Sequence, residues 1–217
     1  AGDRNVAIGT YALFTQNNTS NADVYNVAIG YQAGTLVSTG ANNVLVGGQV
    51  GEALTDGANN VVIGRAALGS AQSDSNNVAV GYTALGTQNG AGTSYNTAVG
   101  HAAGTGVTTG AQNTIVGGLA ADAITTGADN VVMGYQAMTV ANSTESRNVA
   151  IGAFALDSLD NGSTTNTYNT AVGYGSAAAV DTGIQNTILG AGAGDAITSG
   201  SDNIVIGFGA VSYTHLR

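Results

Sequence analysis

An asparagine, three mostly apolar residues and a glycine recur twelve times along this 217-residue chain. The asparagines are Asn5, Asn26, Asn43, Asn60, Asn77, Asn96, Asn113, Asn130, Asn148, Asn169, Asn186 and Asn203. Each has its glycine four residues on: Gly9, Gly30, Gly47, Gly64, Gly81, Gly100, Gly117, Gly134, Gly152, Gly173, Gly190 and Gly207. Successive asparagines lie 21, 17, 17, 17, 19, 17, 17, 18, 21, 17 and 17 residues apart. A phrase repeated along the whole chain is the unit of a scaffold, and it constrains the fold before any other feature does.

A longer period lies over the short one. Asn5, Asn77 and Asn148 are 72 and 71 residues apart, and each opens a coil with a long loop. The chain therefore reads as three blocks of four coils. A 17-residue unit is too short for a helical hairpin and matches neither leucine-rich nor propeller periods. Two short strands joined by glycine turns fit it. The first strand ends at the glycine. The second is expected around the aliphatic residue eleven positions after the Asn, at Val37, Leu54, Val107, Ile124, Val180 and Ile197. A further glycine closes these coils at Gly40, Gly57, Gly110, Gly127, Gly183 and Gly200, where glycine accepts positive φ and close backbone approach. The expected architecture is all-β: a parallel β-solenoid of about twelve coils of 17–21 residues, spanning residues 1–211 as one domain. At about 4.8 Å per coil, it makes a rod of roughly 58 Å, stabilised by neighbouring coils.

Strand alternation places the first and third residues after each Asn on one face and the second on the other. The third is always large and aliphatic, as in Ile29, Val46, Ile63, Met133 and Leu189. An exposed second position would be polar. It is instead Ala, Ala, Leu or Ile, then Val, in that order through all three blocks. A strand apolar on both faces is covered on both, so Ala28 and its counterparts are expected to need a cover from other copies, most simply in a homotrimer. The asparagines are expected to form a ladder, each amide bonding to those above and below and to the turn backbone.

The phrases NVAIGYQAG, NTAVGYGSA and NVAVGYTAL resemble repeats of bacteriophage tail-fibre proteins. They are also similar to the head repeats of YadA-type trimeric autotransporter adhesins, whose units form a left-handed parallel β-roll in a homotrimer. The resemblance runs from Asn5 to about Ala210. It implies an extracellular or virion-surface location and a fibre or adhesin role. The coils here are longer than the adhesin unit, so handedness and subunit contacts can differ. Residues 212–217 depart from the repeat and resemble a translated adapter run ending an environmental gene model, which implies a non-native tail. The chain opens in mid-pattern without an initiator methionine and reads as a fragment.

Composition narrows the function. A net charge of −9, with four arginines and no lysine, argues against a nucleic-acid partner. Without cysteine there is no disulfide, thiolate metal site or thiol nucleophile. No apolar run is long enough for a membrane span. GAGAGD (Gly190 to Asp195) imitates a phosphate loop, but its sister coils read GGQVGE and GGLAAD and no lysine follows. His101 replaces the tyrosine of Tyr31, Tyr82, Tyr135 and Tyr174, so it reads as a stacked surface residue. Glu52, Asp122 and Asp195 align nine residues after their asparagines, yet about 19 Å apart, too far to share an ion. No catalytic residue, cofactor or metal is expected. Threonine rows (Ser38, Thr39, Thr108, Thr109, Thr125, Thr126) resemble those of ice-binding solenoids.

Candidate recognition positions fall on the long first-coil loops and the tyrosines that end them: Asn18, Tyr25, Asn89, Tyr95, Asn161 and Tyr168. Loops on a rigid scaffold commonly carry binding, and the partners expected for them are a host-surface glycan or protein. The leading expectation is a non-enzymatic fibre segment that spaces or presents adhesive parts. A self-stacking extracellular filament is the second reading and an ice-binding solenoid the third.

Overall fold

The computed structural model describes residues 4–17, 23–90, 92–140, 144–162 and 166–212. Asn18 and all but the first residue of the 212–217 tail lie outside them. Twelve three-residue strands form one parallel sheet in sequence order. They are β1 (Val6–Ile8), β2 (Val27–Ile29), β3 (Val44–Val46), β4 (Val61–Ile63), β5 (Val78–Val80), β6 (Thr97–Val99), β7 (Thr114–Val116), β8 (Val131–Met133), β9 (Val149–Ile151), β10 (Thr170–Val172), β11 (Thr187–Leu189) and β12 (Ile204–Ile206). Each pairs with the next in register, Val27 with Val44 and Ile29 with Val46, so one coil separates neighbouring strands. The fold is an all-β parallel solenoid. Among the described residues no helix is long and apolar enough to cross a membrane.

β-branched residues at the first and third strand positions favour the extended conformation. The ladder bonds alternate in direction. Val27 N donates to Asn43 O at 2.8 Å in the coil ahead, and Gly30 N donates to Ile8 O at 2.7 Å in the coil behind. The same exchange continues far beyond the strands: Gln49 N donates back to Tyr31 O, and Ser38 N donates forward to Thr55 O. Nearly the whole coil is thus hydrogen-bonded to its neighbours, although only three residues of it are strand.

Two expectations are corrected here. The second strand does not form. Val37, Leu54 and their counterparts up to Val180 are buried and Ile197 is half-buried, but the residues after them bend, and the hydroxyls of Ser38, Thr55 and Thr108 donate to carbonyls of the next coil. The strand also faces the opposite way. Ala28, Leu45, Val62 and every later second position up to Ile188 are buried inside the coil, while the first and third positions point outward. All three residues are apolar, so alternation alone could not decide which face was inner.

The core is one long file of buried side chains, and its volumes explain the four-coil block. In the first coil of each block the bulk comes from the eighth residue after the Asn: Leu13, Leu85 and Leu156. In the third coil it comes from the second strand position, Leu45, Ile115 and Ile188, and the eighth residue is reduced to Gly51, Ala121 and Gly194. The second coil is the crossover. A Cβ at Gly34 would stand 2.6 Å from Leu45 Cδ1 and 3.3 Å from Leu13 Cδ2, so both neighbours already fill its place. Large and small side chains alternate between the two walls to keep the interior close-packed.

Four positions in every coil have positive φ: the residue before the Asn, the strand-end glycine, and the sixth and eighth residues after the Asn. Only the strand-end position is glycine throughout, and its φ lies between 127° and 145°. The others include Tyr25, Gln32, Leu68 and Met138, at about 1 kcal/mol each for a left-handed non-glycine residue. Coil-to-coil hydrogen bonds at these same residues, such as Asn42 N to Val24 O at 2.7 Å, hold them there. Of the two reasons expected for the closing glycines, close backbone approach holds and positive φ does not. Gly40 and Gly57 do not have left-handed φ; a Cβ there would run into the carbonyl oxygen of Gly57 and of Asp74 in the next coil.

Candidate functional site: the outer strand face and its aromatic flanks

The asparagine sets the geometry of the face. From Asn5 to Asn186, each Oδ1 accepts the backbone N–H of the next asparagine at 2.8–3.0 Å. In eight coils its Nδ2 donates at 2.7–2.9 Å to a carbonyl fourteen or fifteen residues on, closing the coil. One side chain therefore spaces the rungs and clasps each loop shut. These amides are buried from Asn26 to Asn186, so none of them offers a row of ligand-binding groups.

The outward face is built from the first and third strand residues. Val61, Ile63, Val99 and Met133 are exposed, and Val27, Ile29, Val78 and Val80 are half-buried. No charged residue interrupts it along twelve rungs. Four of its twenty-four positions are threonine (Thr97, Thr114, Thr170 and Thr187) and the rest are apolar. At about 4.8 Å per rung and about 3.3 Å per residue, the face measures about 53 by 10 Å. A largely apolar surface of that extent is a candidate interaction site.

Aromatic residues border both edges. On one edge, before the asparagine, Arg4 donates to the Tyr25 hydroxyl at 2.7 Å with its guanidinium 5.6 Å from the ring centre. Arg147 and Tyr168 repeat both distances two blocks later. Arg4 also pairs with Asp23 at 2.9 Å, and Arg147 with Asp129 at 3.5 Å. On the other edge, beyond the corner glycine, Arg65 lies 5.8 Å from the Tyr82 ring and Tyr82 stacks on His101 at 5.3 Å and 20°. His101 is thus one member of a surface column.

The candidate recognition residues divide. Tyr25, Tyr95 and Tyr168 stand exposed on the edge of the strand face and not at loop tips. Asn89 is exposed, and its backbone donates to Thr108 O. Asn161 is tied down by its backbone N–H to Glu145 Oε1 at 2.7 Å and its Nδ2 to Thr182 O at 2.8 Å. The long loops are fastened by buried groups that sequence reading passed over. Asp74 Oδ1 accepts from Gly90 N, Ser94 Oγ and Gln88 Nε2 at 2.9, 2.8 and 3.1 Å, and Gln88 Oε1 accepts from Asn96 Nδ2. A signal existed: Asp74 stands fourteen residues after Asn60, where the two preceding coils carry their closing Gly40 and Gly57.

The aligned acids do not converge on one another, and among the described residues no cluster of three His, Asp or Glu could hold a metal. Burial pushes the Asp122 carboxyl above the usual aspartate range, and Asp157, in the same register of its own coil, is pushed up for the same reason. Compared with protein-family models, curated proteins and solved structures, the chain matches none.

Proposed function

We propose that this chain is a structural fibre or adhesin segment: a rigid β-solenoid that spaces or presents binding parts on a phage or cell surface and assembles with copies of itself. The observation that carries the reading is the strand face, uncharged along twelve rungs and apolar at all but four threonine positions. At about 530 Å² it is larger than the few hundred Å² of contiguous apolar surface that a monomer ordinarily leaves exposed. All of its residues but Met133 and Leu189 are β-branched, so little side-chain entropy is lost on covering them. Association rests on the first and third strand positions, Val27, Ile29, Val61 and Ile63 among them, because Ala28 already faces the interior. The resemblance to phage fibre and trimeric adhesin repeats supports three copies around a common axis.

Solution mass by light scattering tests this. A single species at three times the chain mass is expected. The double variant Val61→Glu, Ile63→Glu places charge on exposed positions without touching the core, and is expected to yield folded monomer. A wild-type monomer overturns the assembly reading, and open-ended growth replaces it with a self-stacking filament.

A further inference from the structure

The aromatic column beside the strand face has a gap. Tyr135, Phe154 and Tyr174 meet edge to face at 5.8 and 5.7 Å, Phe154 reaching in from the residue after Ala153, which holds the ring position of that rung. The next rung puts Ala191 in the ring position, and the rung after that restores a ring with Phe208. The third coil of every block repeats this: Gly48, Gly118 and Ala191 lie between Tyr31 and Arg65, His101 and Tyr135, and Tyr174 and Phe208. All six flanking residues carry planar π groups. Nothing in the core requires the small residue, since a Cβ at Gly48 would meet open space. In the middle block Tyr135 closes over Gly118, where a Cβ would meet its ring at 3.7 Å. In the last block the gap is an open groove of about 470 Å³ lined by Tyr174, Ala191, Gly192, Asp195 and Phe208.

We propose that this groove is a subsite for one hexopyranose ring of a neutral oligosaccharide. Two rungs separate Tyr174 from Phe208, about 9.6 Å, so an inserted ring lies about 4.8 Å from each, within the range of ring–ring contact. The C–H faces of the sugar meet the two aromatic walls. Its hydroxyl edge projects toward Asp195, an exposed carboxylate that accepts hydrogen bonds. The floor of Ala191 and Gly192 adds no side chain beyond a methyl. Asp195 and the net charge of −9 repel sialylated or uronic sugars. The first block has a different groove, lined by Gln32, Thr35, Leu36 and Glu52 without the ring positions Tyr31 and Arg65, so the subsite belongs to the last block.

Saturation-transfer NMR and calorimetry of the intact chain with cellohexaose and maltohexaose test the proposal, with tetramethylammonium as the competing probe. Binding of at least one hexasaccharide is expected, with transfer to ring protons of the sugar. Ala191→Phe, which fills the gap, and Phe208→Ala, which removes a wall, are each expected to weaken it at least tenfold. Phe14→Ala, an exposed ring elsewhere, is expected to leave it unchanged. Absence of binding to both sugars, binding indifferent to Ala191→Phe, or saturable binding of tetramethylammonium alone overturns it. Circular dichroism of each variant verifies the fold. The readout is sugar bound per chain, so a monomer that binds sugar would refute the assembly reading and leave this one standing.

Discussion

An ordinary coil and a long-loop coil close in different ways. In the 17-residue coil opened by Asn113, the side-chain amide reaches Gly127 O at 2.9 Å and nothing else is needed. The coil opened by Asn77 carries the 87–95 loop, and its buried Nδ2 finds no partner among the described residues. There the clasp is supplied from below by Asp74, which belongs to the preceding coil and gathers the loop backbone and side chains onto one oxygen. Glu145 does the same work for the 158–168 loop. A side chain of fixed reach closes only a coil of fixed length; an insertion moves the closure to a longer or displaced acceptor in the coil beneath.

The largest expected effect is one the two coil types should share. Gly47→Ala in an ordinary coil places Cβ 2.6 Å from Gly64 O at a φ of +143°, and Gly81→Ala in a long-loop coil meets Gly100 O in the same way. Both are expected to abolish cooperative folding in urea titration, whereas Gly48→Ala, one residue along, is expected to be neutral. Next, Asn113→Ala leaves Asn130 N and Gly127 O buried without their partner and should cost about 4 kcal/mol. Asn77→Ala orphans only Asn96 N and should cost about half as much, about 2 kcal/mol. Equal losses in these two variants would break the distinction between the coils.

Asp74→Ala should also cost about 2 kcal/mol, with a different signature. Hydrogen exchange at Gly90 and across the 87–95 loop is expected to lose protection while the Asn113 coil keeps it. The smallest effect concerns the desolvated acids, Asp122 in an ordinary coil and Asp157 in a long-loop coil. Both carboxyls are raised, so the folded chain holds protons that the unfolded chain releases, and their contribution to stability falls as pH rises through the raised values. Asp122→Asn and Asp157→Asn should each stabilise at neutral pH by well under about 1 kcal/mol, because both groups remain partly solvated. The gain should vanish in acid, below the ordinary aspartate range, as followed by thermal melts across pH.

The repeat, the asparagine row and the strand-end glycines were legible because one residue type is required at each rung. The inner face was not, since Val27, Ala28 and Ile29 are all apolar and burial has to choose between two faces of equal hydropathy. The left-handed residue before each asparagine was invisible for a different reason. Arg4, Tyr25, Asn42 and Gln112 share a backbone conformation but no side-chain property, and the coil-to-coil bonds impose it. The aromatic gap could be read as an absent residue only once the rungs were stacked.

The in-register stacking has a kinetic consequence. Every strand pairs with one only 17 to 21 residues away, so the strand-to-strand separation divided by chain length is about 0.08–0.10. That value belongs to helical bundles, not to β-sandwiches, whose strands must find distant partners. The left-handed residues make a lone coil unstable, while a finished coil presents a full row of donors and acceptors to the next. Folding is therefore expected to be fast in propagation and slow only in its first step, with each coil docking on its predecessor as it leaves the ribosome.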